Sequence, residues 1–277
     1  MLVTKFDGTK QPFQREKVIG TCMRMRVSRE KAEIIADKIE HRIYDGITTK
    51  KILQMTFKYL KEFPASKHQI DLRTAISILR SMPDFERYIQ QLLAEQGYIL
   101  NSCNLIGRGK CVEHELDAIV QFVETTYVVE IKHHRNPHIF TGLDIPRIAQ
   151  ATLDDIKDGF KANLNTINAT NVLIVTNTKF SDHAIQYASC KGISLIGWKF
   201  PLNHGLEQMI ENTKFYPITM LQELSHESII KLLDNEIILM NQLLTHDINI
   251  LQKKCNIPKK QLKNAIKTVN EVFPDFK

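Results

Sequence analysis

The sequence predicts a multidomain protein of α+β and α/β class: a small hairpin with helices, then an α/β domain on a central mixed sheet, then a short helical segment. Three observations carry this reading. Asp7-Gly8 stands between short extended flanks near the start, a hairpin signal because type I′ turns need positive φ. Residues 172–176 and 193–197 are continuous apolar runs of the kind that buried strands show, with a helical pattern between them. Beyond Pro201 and Asn203-His204-Gly205, the apolar residues recur only in helical clusters. Domains are expected over 1–83, 84–202 and 203–277.

With 277 residues and 43% hydrophobic content, the chain can bury sizeable cores and is neither a disordered tail nor a collagen-like fibre. No apolar run approaches the roughly 18 residues of a membrane span, and Met1 to Lys5 lacks a signal-peptide core, so a cytoplasmic protein is expected. The five cysteines are odd in number and form no C-x-x-C pair, which disfavours a disulfide framework or a zinc ribbon. Residues 1–83 hold 17 Lys+Arg against 9 Asp+Glu, while the remainder holds 20 against 22. By segment, the basic surplus therefore lies at the N-terminus, where a polyanion could use it, although a solvated face has the same composition.

After the hairpin, Val18, Ile19, Cys22 and Met23 share one helical face. Ser28 is placed to cap a second helix with Ala32, Ile35, Ala36, Ile39 and Ile43 buried, ended by Asp45-Gly46. Thr48 can cap a third helix carrying Ile52, Met55, Thr56 and Tyr59, and Phe63-Pro64 breaks the pattern before a fourth through Ile76 and Leu79. Lys5, Lys10, Arg15 and Lys17 gather at the hairpin and first helix, where lysines suit phosphate oxygens as point charges. The strings Val3-Thr4-Lys5-Phe6-Asp7-Gly8, Pro12-Phe13-Gln14-Arg15-Glu16-Lys17-Val18 and Gly46-Ile47-Thr48-Thr49-Lys50-Lys51-Ile52 resemble the ATP-cone domain of ribonucleotide reductases and their transcriptional regulator. That resemblance implies ATP or dATP as an allosteric ligand, with Lys5 and Lys17 on the triphosphate and the hairpin from Val3 to Phe13 closing over the adenine. No catalytic barrel of a reductase and no cysteine-ligated zinc ribbon follows, and no Walker-type loop is present to hydrolyse the nucleotide.

In the middle segment, Phe85, Tyr88, Ile89, Leu92 and Leu93 mark an amphipathic helix closed by Gly97. Residues 98–100 start a strand, a loop with Gly107 and Gly109 follows, and 112–120 and 127–132 read as antiparallel strands joined by a turn. Alternation puts Glu130, Lys132 and His134 on one face and Glu113, Glu115 and Asp117 on one face of the preceding strand. Asp117 can thus meet Glu130 across the pair in a hard-oxygen site suited to Mg²⁺ or Mn²⁺, with Lys132 one step along. A cation held there acidifies water and neutralises charge on a phosphodiester, and a lysine beside it orients or deprotonates that water. On spacing alone the three residues also fit an exposed strand face with a salt bridge.

The order Asp117, then Glu130-Ile131-Lys132, resembles the core of the PD-(D/E)XK nucleases, and with its flanking helices it looks like the Mrr-type restriction endonuclease domain over about 84–200. The resemblance implies Asp117 and Glu130 as metal ligands, Lys132 as the catalytic lysine, Glu86 as support from the first helix, and Gln150 beside the lysine. His114-Glu115 departs from the usual pattern before the Asp, leaving Glu115 as an added ligand or a residue of the solvent edge. Adjacent His133 and His134 point to opposite faces and cannot simply chelate one zinc ion. Asn177-Thr178-Lys179 is read either as a DNA-facing loop or as a helix-capping connection. The C-terminal helices weakly resemble helix-hairpin-helix or SAM-like modules, but Asn256-Ile257-Pro258 stands where a glycine hairpin would bind phosphate; a helical cap or dimer contact is the plainer reading. Together these imply a metal-dependent DNA endonuclease governed by ATP or dATP, expected as a homo-oligomer. The alternatives are a non-catalytic nucleotide-responsive DNA-binding protein and an RNA nuclease.

Overall fold

A computed structural model describes residues 1–5, 8–25, 27–60, 62 and 71–273. The chain forms two compact units, one of residues 1–71 with 218–277 and one of 72–217. Among the described residues, no helix is long and apolar enough to cross a membrane.

In the first unit, β1 (Leu2–Thr4) pairs antiparallel with β2 (Lys10–Pro12), so the hairpin forms, although Phe6, Asp7 and the Phe63-Pro64 break lie outside the described residues. Gly8 takes φ +79°, the left-handed turn conformation. Helices α1 (Arg15–Arg24), α2 (Arg29–Glu40) and α3 (Thr49–Leu60) follow. The expected stripe of α2 is buried, and Ile19, Ile35, Ile39, Ile47 and Leu60 form one core with Val3. Thr48 Oγ1 accepts from the Lys51 N–H at 3.2 Å, as a cap should. Ser28 differs: its carbonyl takes the Ala32 N–H, but its hydroxyl makes no cap bond. A third strand, β3 (Ile47–Thr48), pairs parallel with β1, a pairing too short to show any period in the sequence. Arg15 clamps α1 to α2 through Asp37 and Glu40, which raises the pKa of its guanidinium.

The second unit begins with α4 (Leu72–Ile78) and α5 (Glu86–Glu95), the latter closed by Gly97 at φ +88°. Its five-stranded mixed sheet has the order β10-β8-β6-β5-β4, made of β4 (Ile99–Arg108), β5 (Glu113–Phe122), β6 (Thr125–Lys132), β8 (Asn171–Thr176) and β10 (Ser194–Ile196). Strands β4, β5 and β6 run antiparallel, and β6, β8 and β10 parallel. Gly107, expected in a loop, lies inside the ten-residue β4, whose register shifts between Leu100 and Ser102 and so hides its alternation. A two-stranded pair, β7 (Phe140–Thr141) with β9 (Lys179–Phe180), flanks the sheet.

Helix α6 (Asp144–Lys161) packs Ile145, Ala149, Leu153 and Ile156 against Ile119, Val128, Val172 and Ile174. Its close approach to β4 needs Gly159, where a Cβ would stand 2.7 Å from the Arg108 carbonyl oxygen. Helix α7 (Asp182–Lys191) is capped by Ser181, whose hydroxyl accepts from the Ala184 N–H, and ends at Gly192 with φ +70°, both as expected. Helix α8 (Leu206–Thr213) completes this unit. The C-terminal residues of the first unit form α9 (His226–Asp234), α10 (Gln242–Thr245), α11 (Ile248–Cys255) and α12 (Lys259–Val272).

Candidate active site

The acidic residues meet where β5 and β6 part. Their ladder runs from Phe122↔Thr125 to Ala118↔Val129, so the next step places Asp117 opposite Glu130. There the side chain replaces the ladder: Asp117 Oδ2 accepts from the Ile131 N–H at 2.6 Å. By alternation, both carboxylates continue the face on which Ile119 and Val128 are packed by α6, which leaves them half-buried. Burial raises the pKa of both. The Ile131 N–H and Lys132 oppose this at Asp117; at Glu130 the neighbouring Asp117 adds to the rise and Lys132 opposes it. Lys132 itself makes no hydrogen bond or ion pair among the described residues, so its amine is held near both carboxylates and not consumed by either.

Glu86 belongs to this cluster, because it interacts electrostatically with Asp117, Glu130 and Glu115. Burial first, and then the charge of Asp117, push its pKa up to about 7, while a hydrogen bond from Asn104 Nδ2 to its Oε2 at 3.1 Å partly offsets them. Glu115 is exposed and stands at the solvent edge, within electrostatic reach of Glu86 and Asp117.

Two residues that the motif does not contain complete the arrangement. Gln90 donates from Nε2 to Asn104 Oδ1 at 2.8 Å and to the Asp117 carbonyl at 2.9 Å, linking Glu86 to the backbone that carries Asp117. Asn104 lies opposite Asp117, between the pairs Cys103↔Ala118 and Leu105↔Leu116, and takes φ +47°, which asparagine tolerates. The signal for Gln90 was available: Glu86 and Gln90, each 6% exposed, are one helical turn apart beside an apolar stripe. Nothing in the sequence marks Asn104.

The histidines have separate partners. His133 packs on Phe85 with ring centres 4.7 Å apart and planes tilted by 45°; its Nε2 lies 3.2 Å from the Ile76 carbonyl and its Nδ1 3.0 Å from Ser81 Oγ. A carbonyl only accepts, so Nε2 carries the proton, and burial lowers the pKa of the ring. His134 Nε2 lies 3.1 Å from Thr141 Oγ1, and its pKa too is lowered by burial. His114 is 2.8 Å from Asp155, whose carboxylate also accepts from the Cys111 and Val112 N–H groups and so pins the β4–β5 turn. Asn177 and Thr178 are fully buried, with Asn177 bonded to the backbone N–H and carbonyl of His134. They do not face DNA, and of that tripeptide only Lys179 is exposed. Gln150 donates to Asp154 Oδ1 at 2.9 Å along its own helix, and among the described residues no hydrogen bond joins it to Lys132 or the carboxylates.

In the N-terminal module, Lys5, Lys10 and Lys17 are exposed, Phe13 is half-buried against the core, and the Val3 side chain is buried in that core.

Asp117 and Glu130 offer only hard oxygen donors, which fits Mg²⁺ or Mn²⁺; such ions keep several waters and complete their shell with substrate phosphate. Among the described residues, no three His, Cys, Asp or Glu side chains gather closely enough to enclose an ion without such help. In the metal-free protein, the raised pKa of Glu86 means that the folded state holds protons the unfolded chain releases. Its contribution to stability is therefore complete below about 4.5 and is lost as the pH rises through about 7. The lowered pKa values of His133 and His134 give the opposite slope, so the wild-type melting temperature minus that of Glu86→Gln should fall between pH 5 and 8 in EDTA, and added Mg²⁺ should raise the wild type more at pH 8. A flat or rising difference in EDTA would contradict this account of the cluster.

A mixed sheet bearing this acidic cluster and lysine, with a small basic hairpin-and-helix module on the same chain, is the arrangement expected of a restriction-type nuclease domain joined to an ATP cone. The comparisons agree. Residues 80–199 match the restriction endonuclease family Mrr_cat, residues 1–82 the ATP cone domain, and residues 216–273 the AF1548-like C-terminal family. An uncharacterized protein of Archaeoglobus fulgidus is 38% identical over 133 residues, 48% of this chain and 70% of that protein. The transcriptional repressor NrdR of Caldicellulosiruptor saccharolyticus is 29% identical over 100 residues, 33% of this chain and 63% of the repressor. A crystal structure of a protein of unknown function, AF1548, superposes with a TM-score of 0.56 at 27% identity, covering 73% of this chain and 98% of that one. The chain belongs to the family of the Archaeoglobus protein, with an N-terminal ATP cone, an Mrr-type restriction endonuclease domain and an AF1548-like C-terminal domain.

Proposed function

We propose that this protein is a metal-dependent DNA endonuclease whose activity is set by ATP or dATP bound to the cone over residues 1–83. The observation that carries this reading is the convergence of Asp117, Glu130 and Glu86 with an unpaired Lys132 where two strands part. Asp117 and Glu130 would hold Mg²⁺ or Mn²⁺. When bound, such an ion acidifies water and stabilises charge developing on the phosphodiester. Lys132 positions the attacking water and takes or shares its proton. Glu86, held by Asn104, carries a proton part of the time near neutrality and would give it up to a cation bound beside it, and Gln90 fixes the backbone of Asp117 so that the two carboxylates keep their spacing. Gln150, bonded to Asp154 along its own helix, has the smaller part in this reading. Plasmid nicking with Mg²⁺ against EDTA, on modified and unmodified DNA and on RNA, tests the proposal. Conversion of supercoiled DNA only with metal supports it, and no cleavage under any condition would leave a nucleotide-responsive binding protein.

The nucleotide acts as a signal and is not consumed, and the exposed Lys5 and Lys17 are its triphosphate contacts in this reading. A charge-assisted contact is worth about 1.5 to 3 kcal/mol, so Lys17→Ala should weaken ATP binding by roughly 10- to 100-fold and leave a nuclease insensitive to ATP. Titration of labelled ATP into the full chain and the variant measures this. Equal affinities would remove Lys17 from the nucleotide site.

A further inference from the structure

Averaging charge by segment conceals a sharp separation in the C-terminal helices. Residues 218–247 carry Lys231 against Glu223, Glu227, Asp234, Glu236 and Asp247, whereas residues 248–270 carry six lysines and no acidic residue. The six are Lys253, Lys254, Lys259, Lys260, Lys263 and Lys267, on α11, α12 or the first turn of α12.

The fold turns them outward. Leu251, Cys255, Ile257, Leu262, Ala265 and Val269 are buried, which turns all the lysines but Lys259 fully outward. Half-buried Lys259 donates to Asn249 Oδ1 at 2.6 Å and so ties α12 to α11. Lys260, Lys263 and Lys267 follow the i, i+3, i+7 spacing and make a stripe about 10 Å long, roughly three base-pair steps of duplex DNA. Lys267 has Glu271 at 3.7 Å, and Lys253, Lys254, Lys260 and Lys263 have no acidic partner among the described residues.

A merely solvated helix face mixes both signs and gains from i, i+4 pairs. Here neighbouring lysines repel one another, and Lys259 and Lys260 sit in the first turn of α12, against the helix dipole. Both effects cost folding stability, and both are relieved when a polyanion covers the face. The intervening exposed residues Gln252, Asn256, Asn264 and Asn270 are amides, suited to phosphate and sugar oxygens. A membrane-lying helix would instead expose an apolar row, and Ile250 is the single large exposed hydrophobic residue of α11 and α12.

We propose that the exposed lysines of α11 and α12, above all the Lys260, Lys263 and Lys267 stripe, bind the phosphate backbone of duplex DNA without reading its sequence. The choice of duplex DNA rests on the nuclease reading, but none of these residues belongs to the acidic cluster, so the two can fail separately.

The test is salt-dependent fluorescence anisotropy of a labelled duplex, using the full chain with Glu130→Gln to prevent cleavage. Adding Lys260→Gln, Lys263→Gln and Lys267→Gln together should weaken binding on the order of 10- to 100-fold, and should lower the slope of log affinity against log salt by about 3. The three Arg replacements should restore both. A control removing equal charge elsewhere (Lys31→Gln, Lys58→Gln, Lys191→Gln) should leave them unchanged. Unaltered affinity and slope in the Gln variant would overturn the proposal, as would a parent protein that binds phosphatidylserine vesicles but no DNA. Salt-sensitive binding through these lysines, together with no metal-dependent cleavage by the wild-type chain, would sustain the surface and defeat the nuclease reading.

Discussion

Glu130→Ala and Asp117→Ala are each expected to lower metal-dependent DNA cleavage on the order of 1,000-fold or more while DNA binding survives. The physical reason is the sparse donor set. With two carboxylates facing each other across the end of a ladder and no third enclosing group among the described residues, losing either leaves one protein ligand for the ion. Asp117→Ala has a second cost that Glu130→Ala lacks: it removes the acceptor for the Ile131 N–H, which loosens the strand carrying Glu130 and Lys132. Supercoiled-plasmid cleavage at matched Mg²⁺, with anisotropy to measure binding, makes the comparison. Wild-type rates in either variant would remove the site assignment.

Lys132→Met is expected to reduce cleavage by roughly 100- to 10,000-fold with metal affinity largely kept, because the amine acts on water or developing charge and is not a ligand. Its charge lowers the pKa of both Asp117 and Glu130, so the variant should also bind metal with a steeper dependence on pH in the acidic range. Calorimetric titration of Mg²⁺ or Mn²⁺ separates the effects. Loss of metal binding at neutral pH together with activity would make Lys132 part of the ion's support and require another residue to handle the water.

The sequence determined by itself what depends on short-range periodicity and local backbone chemistry. The stripe of Ala32, Ile35, Ala36 and Ile39, the hairpin strands, the Thr48 and Ser181 caps, and the face shared by Glu130 and Lys132 all follow from a period of 3.6 or 2 and from which residues tolerate turns. Asp117 opposite Glu130 was legible for the same reason: a short turn fixes the register of a hairpin. Only the tertiary structure decided what depends on residues distant in the chain. Asn104 joins Glu86 and Gln90 because β4 lies alongside β5 with a shifted register that no periodicity records. Asn177 and Thr178 are polar, and an exposed DNA-facing loop is one of their two readings from sequence, yet they are buried because their hydrogen bonds are satisfied by His134 and by Thr141 and Thr176. The C-terminal lysines cancel against nearby acids in any sum along the chain, and all but Lys259 are turned fully outward because the apolar residues between them turn inward.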